Sequence, residues 1–151
     1  MKNNKGFSLV ELIIVIAIMA VLVGVLAPTY LQYVEKSKKA NDVSAVDTII
    51  NAVEIAAIDP VVVADASAPT SLSITIDKTS ITVTDGTTSW GKAVKEAVGD
   101  AKLKSFDKVE FTATRTAGTG KVTFAYKAAA AGGSNSNDEF KTYATSITKI
   151  S

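Results

Sequence analysis

Between Phe7 and Ala27 lie 21 residues, and Glu11 is the one charge among them. At 1.5 Å of rise per residue the run makes a helix of roughly 30 Å, the thickness of the hydrocarbon core of a bilayer. It reads as a membrane segment. A carboxylate near its start costs about 2.5 kcal/mol or more at depth, so Glu11 needs a partner and is a functional candidate by position alone. Lys2 and Lys5 precede the run and Lys36, Lys38 and Lys39 follow it, so charge asymmetry leaves the orientation open. A cleaved secretory signal fits poorly, because the best small-residue site, Ala27, is followed directly by Pro28.

Pro28 removes one backbone donor and leaves the Gly24 carbonyl without its helical partner. Gly is itself poor in a helix by about 1 kcal/mol relative to Ala, so Gly24 to Pro28 is a weak turn where the helix bends or melts at low cost. The alternative is a plain proline kink within a transmembrane helix. Tyr30 and Tyr33 share one face, which suits a membrane interface or a partner helix. Val43, Val46, Ile50, Val53 and Ala57 then recur at helical spacing, with Asn41, Asp42, Asp47, Asn51 and Glu54 mostly elsewhere on the wheel. The first strong stop is Asp59-Pro60, so the expected helix runs from about Phe7 to Ile58, roughly 78 Å.

After Pro60 the period changes from 3.6 to 2. Val61 to Val63 lead through a loop to Leu72–Ile76 and Ile81–Thr84, a hairpin turned near Asp77-Lys78. Trp90 to Val98 reads as a short helix with Trp90, Ala93, Val94 and Ala97 inward, ended by Gly99. Val109–Arg115 and Lys121–Tyr126 form a second hairpin around Gly118-Thr119-Gly120. Ala128 to Glu139 reads as a loop, and Phe140 to Ile150 as a last strand. The expected fold is therefore α+β: a long kinked N-terminal helix, about 7–58, whose C-terminal half covers an antiparallel sheet of about four or five strands. The leading residues and hydrophobic helix leave about 115 residues for one compact domain.

Composition removes several functions. The chain has no Cys and no His, which takes away disulfides, thiol nucleophiles and the commonest base and zinc ligand. A net charge of +1 gives no reason to expect nucleic acid. Asp100, Asp107, Glu110, Asp138 and Glu139 are scattered acids that read as solvation, so no catalytic residues are assigned. Ser134 to Glu139 is oxygen-rich but lacks the glycine and distal Glu of an EF-hand loop, so no metal or cofactor is expected. Trp90, Phe106, Phe111, Phe124 and Tyr126 are spaced as core residues. No Asn-x-Ser/Thr sequon occurs.

A short basic leader ending in Gly6, then Phe7, Glu11, an apolar helix, Gly24, Pro28, Tyr30 and Tyr33 resembles the N-terminal region of type IV pilins, specifically of major pilins. The match covers roughly Met1 to Ala40; beyond it only the order of elements is similar. The resemblance implies a prepilin leader, 1–6, cut by a membrane-embedded prepilin peptidase after Gly6, with the new amine on Phe7 methylated. It implies a transmembrane and filament-core half-helix, 7–34, and a globular head, 35–151, that includes the amphipathic half-helix 35–58. It implies that Glu11 pairs with the Phe7 amine of a neighbouring subunit. Physically, an ammonium offsets the cost of a carboxylate in an apolar filament centre, and a wrong axial register leaves both unpaired. The expected product is a homopolymer built by a pilus assembly platform, stored in the cytoplasmic membrane and then extracellular, serving adhesion, motility or biofilm formation. Without Cys, the disulfide-clasped C-terminal loop of many relatives is not carried over. Two other readings stand beside this one: a type II secretion pseudopilin, favoured only by the loop Asn135 to Glu139, and a single-pass anchored binding domain that never polymerises.

Overall fold

The computed structural model describes residues 7–116, 118–127 and 136–144, with no description of the side chains of residues 136–138. Two compact units divide at Ser37, and each has its own character. The first contains the start of α1, Leu9–Ala57, whose continuous helix includes both Gly24 and Pro28. Every described residue from Phe7 to Tyr33 is exposed. A helix apolar on all sides exposes its apolar surface wherever no described residue packs on it.

The second unit begins with the rest of α1, where the heptad-like spacing buries one face: Val46, Ile49, Ile50, Val53, Ala56 and Ala57. After it come α2 (Pro60–Ala64), β1 (Ser71–Asp77), β2 (Ile81–Val83), α3 (Ser89–Val98), β3 (Lys108–Arg115), β4 (Val122–Tyr126) and α4 (Ser136–Tyr143). The strands form one antiparallel sheet in the order β2-β1-β3-β4. Alternation does what period 2 requires. Leu72, Ile74 and Ile76 of β1, Val109, Phe111 and Ala113 of β3 and Phe124 of β4 are buried with the α1 face in a single core, while Thr and Ser residues alternate with them.

Turn chemistry fixes the register. Asp77 closes the β1–β2 hairpin: its Oδ1 accepts from the backbone N–H of Thr79 (2.6 Å) and Ser80 (2.8 Å), and its own N–H reaches the Ser80 carbonyl. The Thr79 hydroxyl adds a third donor, and these hydrogen bonds, side chain first, hold the Asp77 carboxyl below its ordinary range. Between β3 and β4, Gly118 and Gly120 take φ of 80° and 65°. A Cβ at Gly120 would come within 2.9 Å of Ile58 Cγ2, so this hairpin tip closes on the end of α1 through a position that only Gly fills.

Several expectations change. The run after Asp59 is a helix, α2, and its signal was present: Asp59 accepts from Val61 N–H as N-cap, with Pro60 at the first helical position. Phe140 to Tyr143 is helical instead of a strand, as are Ser136 to Glu139 instead of a loop; residues 128–135 and 145–151 lie outside the described residues. The spacing of Phe140 and Ala144, both buried, is one helical turn, and Ala144 N–H closes it on the Phe140 carbonyl. Asp42, read as part of the polar face, is 1% exposed. Within α3, Trp90 and Val94 face inward as expected, but Ala97 is exposed and Val98 half-buried.

Candidate functional site: an uncovered helix and its first turn

The site is the start of α1. Phe7 precedes the helix and is 93% exposed, Glu11 lies in the first turn, and Gly6 falls outside the described residues. Ser8 stands at the N-cap position: its carbonyl accepts from Leu12 N–H at 3.3 Å, and its own N–H donates to Glu11 Oε2 at 2.9 Å. Ser8-x-x-Glu11 is the spacing of a capping box, a local signal available in the sequence and overlooked beside the membrane argument. Glu11 is thus placed by its own helix before any partner is considered. A carboxylate there also opposes the positive end of the helix dipole.

From Leu9 onward the surface is apolar without relief. Leu9, Val10, Leu12, Ile13, Ile14, Val15 and Ile16 are each about half exposed or more, and Val25 and Leu26 close the run. Among the described residues α1 is the one helix long and apolar enough to cross a membrane, and its most apolar 18 residues are wholly unburied. Such a surface is far larger than the few hundred Å² that soluble monomers tolerate. At the far end, among the described residues outside its own helical turn, Gly24 has no atom within 4 Å of where a Cβ would sit. Tyr30 and Tyr33 are exposed too.

Charges in the second unit do not assemble into a competing site. Asp107 pairs with Lys78 at 2.6 Å and Glu139 with Lys39 at 2.8 Å. Glu110 lies between Lys108 at 3.1 Å and Lys127 at 3.8 Å and receives the Thr75 hydroxyl. Burial pushes the Glu110 carboxyl up, but the hydrogen bond and charge of Lys108, then the charge of Lys127, outweigh it and hold the group below its ordinary range. Among the described residues no group of three or more potential ligands could hold a metal ion. The oxygen-rich loop that favoured a calcium-binding relative is in part a helix, Ser136–Tyr143.

Instead the polar groups of this unit hold its parts together. Asp42 accepts three backbone N–H bonds, from Lys104 (2.7 Å), Ser105 (2.7 Å) and Phe106 (3.1 Å), which pins the segment between α3 and β3 onto α1. Lys39 lies over the rings of Phe106 and Tyr143 while bridging to Glu139, and Phe140 meets Phe106 edge-on at 5.0 Å. This aromatic clasp docks α4 where no disulfide exists. On another face Asp65 accepts from Ser67 and Ser89, whose hydroxyl bonds hold its carboxyl below the ordinary range, while buried Arg115 lies over Trp90 and donates to the Val62 carbonyl.

Of the comparisons with known proteins, the family model falls on the same end of the chain. The family model described as "Prokaryotic N-terminal methylation motif" matches residues 1–27. A "Fimbrial protein" of Pseudomonas aeruginosa is 33% identical over 86 residues, 57% of this chain and 56% of that protein. The "Type IV wide pilus major component PilA4" of Thermus thermophilus is 55% identical over 42 residues, 28% of this chain and 30% of its own length. The chain thus spans about half the length, or less, of the curated relatives it matches. No solved structure matches it.

Proposed function

We propose that this chain is the major structural subunit of a type IV pilus, a reading supported by its prokaryotic N-terminal methylation motif and by a long N-terminal helix followed by a four-stranded antiparallel sheet. In this reading prepilin peptidase cuts after Gly6 and the Phe7 amine is methylated. Residues 7–34 hold the subunit in the cytoplasmic membrane with its head outside. The assembly platform then extracts it, and copies of the chain bury their apolar half-helices against one another in a surface filament. A relative named as a major pilus component supports the major role.

The observation that carries the proposal is the uninterrupted exposure of α1 from Leu9 to Tyr33, with Glu11 as its single acid. A bilayer covers such a surface in the stored subunit, and other copies cover it in the filament. A contact of this kind repeats head to tail without closing, which gives an open helical polymer. The half-helix neither needs nor offers chemistry, so the proposed role is structural and not enzymatic.

Mass spectrometry of sheared surface material tests it, together with electron microscopy using an antibody to the segment after Ser37. The expected species starts at Phe7, carries one methyl group and decorates filaments along their length. An intact Met1, or a chain cut near Ala27, overturns the proposal in favour of an anchored or secreted domain.

A further inference from the structure

From Leu12 to Thr29 the helix carries no charge. That stretch rises about 27 Å, close to the hydrocarbon thickness of about 30 Å, so the side chains that follow fall at its boundary. Tyr30 and Tyr33 are 68% and 66% exposed. Lys36 is exposed as well, and it enters none of the ion pairs seen among the described residues. Spacings of three place Tyr30, Tyr33 and Lys36 on one ridge of α1, two phenols followed by an ammonium. Glu35 lies about 100° away around the helix and off that ridge. Along the axis Tyr33 is about 4.5 Å and Lys36 about 9 Å beyond Tyr30, against a headgroup layer of about 5–7 Å on each side of a bilayer. The flexible stem of Lys36 spans the remaining distance back to the phosphates.

We propose that this ridge is a contact for anionic phospholipid: in the stored subunit both rings lie in the headgroup layer on the head side, and the Lys36 ammonium holds a lipid phosphate. The inference rests on membrane storage in the reading above and names the partner of this stretch. A headgroup layer offers water and phosphate to the two hydroxyls and the ammonium, whereas an apolar partner helix would leave all three unsatisfied. Charge complementarity selects the lipid, since a basic side chain beside a membrane is drawn to an anionic surface. The contact also fixes the depth of α1. A deeper helix drags the ammonium toward hydrocarbon, and a shallower one lifts Val25 and Leu26, both exposed, into water.

The test uses the full-length chain in vesicles of phosphatidylcholine, with or without about one third phosphatidylglycerol. Because the chain has no Cys, Thr29→Cys and Val21→Cys each supply a single thiol, read by its rate of labelling with a neutral, water-soluble maleimide. In the anionic vesicles the thiol at position 29 should label at least about threefold more slowly with Lys36 present than with Lys36→Gln, and Lys36→Arg should keep the slow rate. In plain vesicles Lys36 and Lys36→Gln should label alike. Tyr30→Ala combined with Tyr33→Ala should speed labelling about threefold in both kinds of vesicle. Equal rates for Lys36 and Lys36→Gln in the anionic vesicles overturn the lipid contact, and an unchanged rate in the double variant overturns the role of the rings. Inorganic phosphate added to plain vesicles at matched ionic strength should change nothing; slowing there overturns the headgroup as the ligand. Slowing that appears only at high protein-to-lipid ratio gives the ridge to a second helix and overturns the contact too. Fast labelling at position 21 sinks membrane storage itself, and this inference with it. A protected position 21 with equal rates at position 29 sinks this inference alone.

Discussion

The first part of α1 carries Glu11 among exposed apolar side chains, and the later part carries Asp42, which is buried almost completely. Each acid sits where its neighbours are apolar, yet they are satisfied differently. Asp42 receives three backbone donors from one folded segment. Among the described residues Glu11 receives one, from the turn next to it. A buried acid with all its partners at home is a folding residue, whereas an acid with lone pairs to spare on an uncovered helix is poised for a partner. In the proposed reading, the same helix separates what makes the head from what makes the assembly.

The largest test of that contrast is Glu11→Ala. Filaments on the cell surface should fall to background by electron microscopy, while heat denaturation of the head, followed by the fluorescence of the single, fully buried Trp90, stays where it is. A shifted melting curve would mean that the two regions are not separable in this way. Phe140→Ala probes the other side. Removing a fully buried ring from the α4 clasp should cost about 3–5 kcal/mol and lower the Trp90 melting midpoint by more than about 10 °C, with processing after Gly6 unchanged by mass. Asp42→Ala leaves three N–H groups without their acceptor and should cost about 3 kcal/mol on the same measurement.

Legibility in the sequence followed the range of the interaction. The change from period 3.6 to period 2 placed all four strands to within a residue or two, and α3 with its Gly99 stop, because those signals are local. Gly99 indeed sits at φ 61° and returns its N–H to the Lys95 carbonyl. The start of the run from Phe140, as far as Tyr143, is helical for a physical reason: β-branched residues further along gave the run a strand-like composition, while the ring of Phe140 finds its place against Phe106 and Tyr126, far away in the chain. Asp42 failed for the same reason, since only the fold brings Lys104 to Phe106 onto it. At the candidate site the order is reversed. Phe7, Glu11, Gly24 and Pro28 were read as a linear pattern, and the one feature overlooked, the Ser8 cap, was also linear.

The smallest expected effect concerns acid. The Glu110 carboxyl is held below its ordinary value of 4.5, so its contribution is complete above that value and is lost as pH falls through the lower folded value. The Trp90 melting midpoint should decline over that interval, and Glu110→Gln should flatten this part of the decline while leaving filament yield at neutral pH unaltered.

The short β2 strand has a consequence for crowding. Among the described residues β2 and β4 are the two edges of the sheet, and β2 offers only three residues of ladder. A long open edge invites another chain to add a strand and fuse irreversibly. In the proposed filament, heads tethered side by side would meet at very high local concentration, where that hazard is greatest. A three-residue edge gives a passing neighbour little to hold, and β4 gives way at once to the charged Lys127, features that would keep closely crowded heads separate bodies.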